Sequence, residues 1–183
     1  TDPRIGAKAY LAPGIGFSGG TLGRDLKVLQ SVNDANAGFA KLFGLIHQLN
    51  GERKIAIVQR TKKMLGSLKG KKIAILGVTY KPGTSTLRRS LPLEIVDLLL
   101  ADGATINVFD PKADFSELVG VPKFNVSATV TEALTKADIA MLLTEWKEFK
   151  MIDWDKEKTV MSQATIFDTK NFLDGNHLKA IGY

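Results

Sequence analysis

The chain has 183 residues, 44% hydrophobic and 24% charged, which is the composition of a soluble globular protein long enough to bury a sizeable core. It has no cysteine, which excludes disulfides, thiolate metal sites and a cysteine nucleophile, and which fits a cytoplasmic location. A net charge of +6 favours anionic partners, while no apolar run is long enough to span a bilayer and no signal-peptide core is seen.

Residues 1–20 read as loop. The chain opens on threonine, as a processed or truncated protein would. Within A-P-G-I-G-F-S-G-G-T-L-G-R-D, from Ala12 to Asp25, five glycines fall between Gly14 and Gly23. Glycine loops cost backbone entropy, so such a density marks forced turns or a ligand lying against the main chain. Thr21 is the candidate for a reacting side chain inside it.

From about Leu22 a helical pattern begins, with Val28, Val32, Ala35, Phe39, Leu42, Ile46 and Leu49 alternating at spacings of four and three. The stripe covers about six turns. It is either a helix face buried on its own chain or the seam of a homodimer, and Gly38 and Gly44 would let a second helix approach closely. Asn50-Gly51 is expected to end or bend this helix. A second amphipathic helix then carries Ile55, Val58, Leu65 and Leu68 amid Lys62, Lys63 and Lys69. These segments divide the chain into a helical part, 1–69, and an α/β part, 70–183.

At Gly70 the period changes. I-A-I-L-G-V, Ile73 to Val78, is a continuous apolar run, as a buried parallel strand should be. Ser90 caps a helix with Pro92 in its first turn and Leu93, Val96, Leu99 and Leu100 on its inner face, and Gly103 closes it. Thr105 to Asp110 is the next strand, stopped by Pro111. A helix near 131–136 and strands at 139–143 and 165–167 extend the unit. The prediction is an α/β fold: a long central helix followed by a doubly wound, mainly parallel, Rossmann-like sheet.

Ligands of such sheets bind beyond the carboxyl ends of the strands. The loop after the first strand, T-Y-K-P-G-T-S-T-L-R-R, offers Lys81 and Arg88 to phosphate oxygens, against the plainer reading of a solvated basic loop. It is not G-x-G-x-x-G, and Pro82 blocks the tight turn into a helix, so NAD is not expected on this sheet. His47 and His177 are isolated and without metal-ligand spacing. Trp146 and Trp154 read as packing residues. The basic residues are interspersed with acids, which argues against nucleic acid.

Taken together, these segments resemble the C-terminal portion of the UDP-glucose/GDP-mannose dehydrogenase family. The family's loop runs approximately R-I-G…G-x-G-[FY]-G-G-S-C-[LF]-P-K-D, and this chain has D-P-R-I-G from Asp2 to Gly6 and G-I-G-F-S-G-G-T-L-G-R-D from Gly14 to Asp25. Further matches are G-V-T-Y-K-P from Gly77 to Pro82, T-S-T-L-R-R-S from Thr84 to Ser90, and Phe109-Asp110-Pro111. The resemblance implies a helix used for homodimerisation, a C-terminal nucleotide-sugar domain, and NAD held mainly by an N-terminal domain that this chain lacks. It places Gly16, Phe17, Ser18 and Gly19 along the sugar and diphosphate of a UDP-glucose-like ligand. Tyr80 and Lys81 match the segment whose lysine contacts the nucleotide sugar. Arg88 matches the arginine that reaches toward NAD, and Arg4 one that enters the partner subunit's substrate pocket.

Several departures accompany these matches. The family oxidises a sugar C6 alcohol to a carboxylate with two NAD, through a thiohemiacetal and a thioester on cysteine. Thr21 stands at that cysteine, and an alcohol needs a strong neighbouring base where a thiol does not. Asp25 matches the aspartate that assists the nucleophile and water, and Arg24 replaces a lysine. Ser85 and Thr86 replace an acidic pair. In D-T-K-N, Asp168 to Asn171, Lys170 stands where the family often has arginine, losing the bidentate fork. One more residue than usual separates Arg4 from the glycine loop. The expectation is a portion of an NAD-dependent nucleotide-sugar 6-dehydrogenase that binds and dimerises without oxidising on its own. The alternatives are a non-catalytic nucleotide-sugar-binding or assembly module, or a two-electron dehydrogenase that stops at the aldehyde.

Overall fold

The computed structural model describes residues 14–31 and 37–183. Arg4, Val32 and Ala35 therefore lie outside the described residues. Helix α1 spans Leu22–Ser31 and α2 spans Ala37–Leu65. Five strands follow: β1 Lys72–Leu76, β2 Thr105–Phe109, β3 Asn125–Val126, β4 Ile139–Leu142 and β5 Ile166–Asp168. Helices α3 Leu91–Ala101, α4 Val130–Leu134, α5 Trp154–Lys158 and α6 Gly175–Ala180 complete the chain, with short 3-10 turns at Phe115–Glu117 and Lys147–Met151.

All four strand pairings are parallel, in the order β3-β2-β1-β4-β5. The pleat sorts each strand into two cores. Ile73 and Ile75 of β1, with Ile139 and Met141 of β4, face Ile57 and Val58 of α2 and Ile95, Val96 and Leu99 of α3. Ala74, Leu76, Ala140 and Leu142 face the opposite way, onto Ala133 and Leu134 of α4, Trp154 of α5 and Leu178 of α6. Helices cover both faces, so the continuous apolar runs are explained by burial on two sides. Ser90 caps α3 as expected, its Oγ accepting from the Leu93 N–H and donating to the Val78 carbonyl.

Two expectations fail at the helices. Asn50-Gly51 does not end the helix, because α2 runs through it for 29 residues, about 44 Å at 1.5 Å per residue, and takes in the segment expected as a second helix. The Asn50 side chain finds partners outside the helix, and the half beyond it is held down by Ile57, Val58 and Thr61, all buried. The single stripe read through Val28 and Leu49 is also divided, Val28 lying on α1 and Phe39 to Leu49 on α2. Gly44 does allow a close approach, but the neighbour is Gln30 of α1 in the same chain, 2.9 Å from where a Cβ would stand. Phe39, Leu42, Leu45 and Leu49 remain exposed, Phe39 at 62%.

The far end of the chain closes the second core. The Tyr183 hydroxyl donates to the Trp154 carbonyl at 3.0 Å, and the two rings meet edge to face. Burial, and then the carboxylates of Glu157 and Asp155, push its phenol from 10.0 up to about 12. The folded state therefore holds this proton more tightly than the unfolded state does. Its contribution is complete below about pH 10 and is lost as pH rises through about 12. The urea midpoint should fall across that window more steeply for the unmodified protein than for Tyr183→Phe.

Candidate functional site

The strand order reverses between β1 and β4, so the loops leaving their carboxyl ends diverge and open a crevice there. Gly77 leaves β1 with φ +86 and crosses directly over Thr144, where a Cβ would lie 2.5 Å from the threonine Cβ and 2.8 Å from its carbonyl oxygen. Beyond it, Asp110 at the end of β2 gathers the two loops. Its Oδ2 accepts from the Val78 and Thr79 N–H groups at 2.7 and 3.0 Å, from Thr79 Oγ1 and from Trp146 Nε1. Its Oδ1 accepts from the Lys112 and Ala113 N–H groups at 2.9 Å. Thr144 Oγ1 donates to the Thr79 carbonyl at 2.6 Å. This lattice fixes the point from which Tyr80 and Lys81 project. Asp168 does the same at the end of β5, accepting from the N–H groups of Lys170, Phe172 and Leu173.

A cleft of about 530 Å³ results, lined among others by Gly14, Gly16, Phe17, Ser18, Tyr80, Lys81, Glu145 and Lys170. It brings together the glycine loop and both lysines expected at the site. Lys170 is not free there: its Nζ lies 2.9 Å from Glu145 Oε2, and both side chains are largely buried. Lys81 is exposed, with Nζ 5.5 Å from the Tyr80 ring centre. The Tyr80 ring in turn packs against Gly19, 3.1 Å from the place of an absent Cβ. Glu145 was not anticipated from the sequence, and nothing in T-E-W distinguishes it from a solvated acid.

The glycine loop faces differently from the expectation. Phe17 N–H donates to Asn50 Oδ1 at 2.8 Å and Gly19 N–H donates to the Arg89 carbonyl at 3.0 Å, so neither is available to an anion. The Ser18 hydroxyl is also taken, donating to the Arg89 carbonyl and accepting from the Leu91 N–H at the start of α3. Among the described residues no hydrogen bond takes up the Gly16 or Ser18 N–H.

Arg88 does not converge with Lys81: it is exposed and does not line the cleft. Its neighbour Arg89, with φ 51, turns back onto the loop and donates to the Gly20 carbonyl. A carboxylate still reaches the segment where Ser85 and Thr86 stand, because Glu117 Oε2 accepts from Thr86 Oγ1 and the Leu87 N–H. Thr21 is exposed at the start of α1, its carbonyl accepting the Asp25 N–H at 2.9 Å. Asp25 lies one turn on, its Oδ1 3.1 Å from two guanidinium nitrogens of Arg24. Neither Thr21 nor Asp25 lines the lysine cleft. A second cleft, of about 440 Å³, shares Phe17 and Ser18 with the first and takes in Gly23, Arg24, Lys27, His47, Lys54 and Arg89. Among the described residues no group of three or more His, Asp or Glu side chains is placed to hold a metal. No described helix is long and apolar enough to cross a membrane.

The fold and the place of the cleft define a doubly wound α/β domain whose ligand side is the carboxyl edge of its sheet. Residues 74–175 match the UDP binding domain of the UDP-glucose/GDP-mannose dehydrogenase family, and the chain belongs to that family. It is 31% identical to UDP-glucose 6-dehydrogenase TuaD of Bacillus subtilis over 184 residues, covering all of this chain and 40% of that protein. It is 32% identical to UDP-glucose 6-dehydrogenase of Rickettsia prowazekii over 185 residues, covering all of this chain and 42% of that protein. A solved UDP-glucose dehydrogenase from Pyrobaculum islandicum shares the fold, with a TM-score of 0.79 at 23% identity over 93% of this chain and 38% of that one. The chain thus spans well under half the length of these relatives.

Proposed function

We propose that this chain is the nucleotide-sugar-binding and assembly portion of an NAD-dependent 6-dehydrogenase that oxidises a UDP-glucose-like sugar towards its uronic acid. In this reading residues 1–69 carry the substrate loop and the dimer helix, and 70–183 the nucleotide site. The observation that carries it is the meeting, at the switch point, of Lys81, Lys170 and glycine-rich main chain in one cleft. A diphosphate would lie between the Gly16 and Ser18 amides and the Lys81 ammonium, with the Tyr80 ring beneath it. Arg4 would come from a partner subunit.

The sheet does not fit NAD itself. A dinucleotide-binding sheet offers the acid at the end of its second strand to ribose hydroxyls, whereas here both oxygens of Asp110 accept from the chain's own N–H groups. NAD therefore belongs to another domain, toward which Arg88 would extend.

Calorimetric titration should rank UDP-glucose and UDP well above glucose, and Lys81→Ala should weaken both nucleotides about tenfold, the loss of one charge-assisted contact. Equal or absent heats for all three ligands would overturn the assignment.

The exposed α2 stripe is the surface proposed for the homodimer. Phe39→Glu should cost association several kcal/mol, roughly that of an unpaired charge buried in a seam. Sedimentation at micromolar concentration should show a dimer for the unmodified chain and a monomer for the variant.

A non-catalytic nucleotide-sugar-binding module is the second reading. It is favoured by Thr21, an alcohol where the resemblance puts a thiol, with the nearby carboxylate of Asp25 held by Arg24.

A further inference from the structure

Asn50 lies in the interior of α2, where an asparagine contributes little to helix formation and normally points to water. Here it is half-buried, and its amide meets a single residue of the glycine loop twice. Oδ1 accepts the Phe17 N–H at 2.8 Å and Nδ2 donates to the Phe17 carbonyl at 3.0 Å. One side chain thereby pairs with both polar groups of one loop residue, as a neighbouring strand would. The fit extends to Gly16, whose φ is +120 and whose absent Cβ would stand 2.5 Å from Asn50 Oδ1. One turn further along α2, Arg53 donates to the Gly14 carbonyl at 2.5 Å.

We infer that Asn50 is a positioning residue for the nucleotide site: it holds Phe17 against α2 so that the Ser18 N–H, which shares a peptide with the Phe17 carbonyl that Asn50 binds, is turned away from α2 and toward the cleft. The inference rests on the reading of that cleft as a nucleotide-sugar site. By engaging Phe17 through both its N–H and its carbonyl, the side chain fixes the rotation of the peptides before and after that residue. Gly16 alone could turn in many ways, since it lacks a side chain. Ser18 is tied from the far side by Arg89 and Leu91, and Gly19 by Arg89. The loop is thus stretched between α2 and the start of α3, and Asn50 is the anchor on the α2 side. A loop ordered before the ligand arrives loses less freedom on binding, which appears directly as affinity.

The test pairs amide hydrogen exchange with calorimetry on the whole chain, unmodified and as Asn50→Ala, using UDP-glucose as ligand. Exchange in the peptide covering residues 14–20 should accelerate in Asn50→Ala while peptides from β1 and β4 keep their protection. UDP-glucose should bind about tenfold more weakly. Asn50→Asp, which keeps the size and the acceptor for the Phe17 N–H but loses the donor to its carbonyl, should fall between the two. This second variant also decides the matter if Asn50→Ala exposes β1 and β4, since it introduces no cavity. Unchanged exchange at 14–20, or unchanged affinity despite faster exchange, overturns the inference. If the unmodified chain fails to bind UDP-glucose, the nucleotide reading fails and the anchoring role falls with it as a functional claim. Unaltered exchange in the variants would instead sink the anchor alone.

Discussion

Asp110→Ala is expected to lower the stability of the chain by about 3–5 kcal/mol, as several buried donors lose their shared acceptor at once. The residue is 9% exposed and stands where the ends of β1, β2 and β4 meet. Without it the Val78 and Thr79 N–H groups and the Trp146 indole lose their acceptor in surroundings that water does not readily enter. Each unsatisfied buried group costs about 1–3 kcal/mol, and relaxation with partial hydration keeps the total below the sum. Asp110→Asn keeps the size but must turn its NH2 toward one of the two sets of donors, so it should recover only part of the loss. Urea unfolding at pH 7 measures both, with an unchanged slope showing that the denatured state is unaffected. A loss below about 1 kcal/mol for the alanine variant would mean that water replaces the carboxylate with ease. Nucleotide affinity should fall as well, because the same contacts set the direction in which Tyr80 and Lys81 leave β1.

Much of the sheet was legible in the chain because burial on both faces leaves a continuous apolar run, as in Ile73 to Leu76. β3 was not, since it is two exposed residues that owe their strand geometry to pairing with Asn107 and Val108. α5 and α6 are too short for helical periodicity to show, and their Asp153 and Asp174 caps resemble turn residues. At the site, glycine density and Tyr80-Lys81 at a strand end pointed to the cleft from pattern alone, while Lys170 came from the family resemblance. What pattern could not give was direction. Asn50 followed by Gly51 carries the signature of a helix stop, and only the packed loop reveals that its amide is used outside the helix. The main chain of Phe17 and Gly19 reads as lying along a ligand, yet their amides are consumed by residues 33 and 70 positions away. The same limit applies to Arg89, whose left-handed backbone conformation and bond to the Gly20 carbonyl sequence does not announce.

Thr21→Cys is expected to raise formation of the uronic acid on the order of a hundredfold in a full-length protein that includes an NAD-binding domain. Position 21 stands at the first turn of α1, where its carbonyl accepts the Asp25 N–H and the free N–H groups of the helix start lie close by. A cysteine of ordinary acidity, near 8.5, is already roughly a quarter thiolate at pH 8, and a helix N-terminus lowers its pKa further. A threonine at the same place has no accessible anion. The carboxylate one turn away has its Oδ1 engaged at 3.1 Å by two guanidinium nitrogens of Arg24, so that oxygen already has partners other than the threonine hydroxyl. The first hydride transfer, from alcohol to aldehyde, needs a base and a positioned acceptor but no bond to the enzyme, so the threonine form should retain it in part. The second oxidation, by the family's route, passes through a covalent adduct, and that is the step the cysteine would restore. Mass spectrometry of the products, separating alcohol, aldehyde and acid, distinguishes the outcomes: aldehyde for Thr21 and acid for the cysteine variant. If the threonine form already makes acid at enzymatic rates, about 1–1000 per second, the aldehyde must be oxidised as its hydrate, with water taking the place of the thiol. In that case Arg24→Ala, which frees Asp25 to act as the base for that water, should accelerate the reaction rather than slow it.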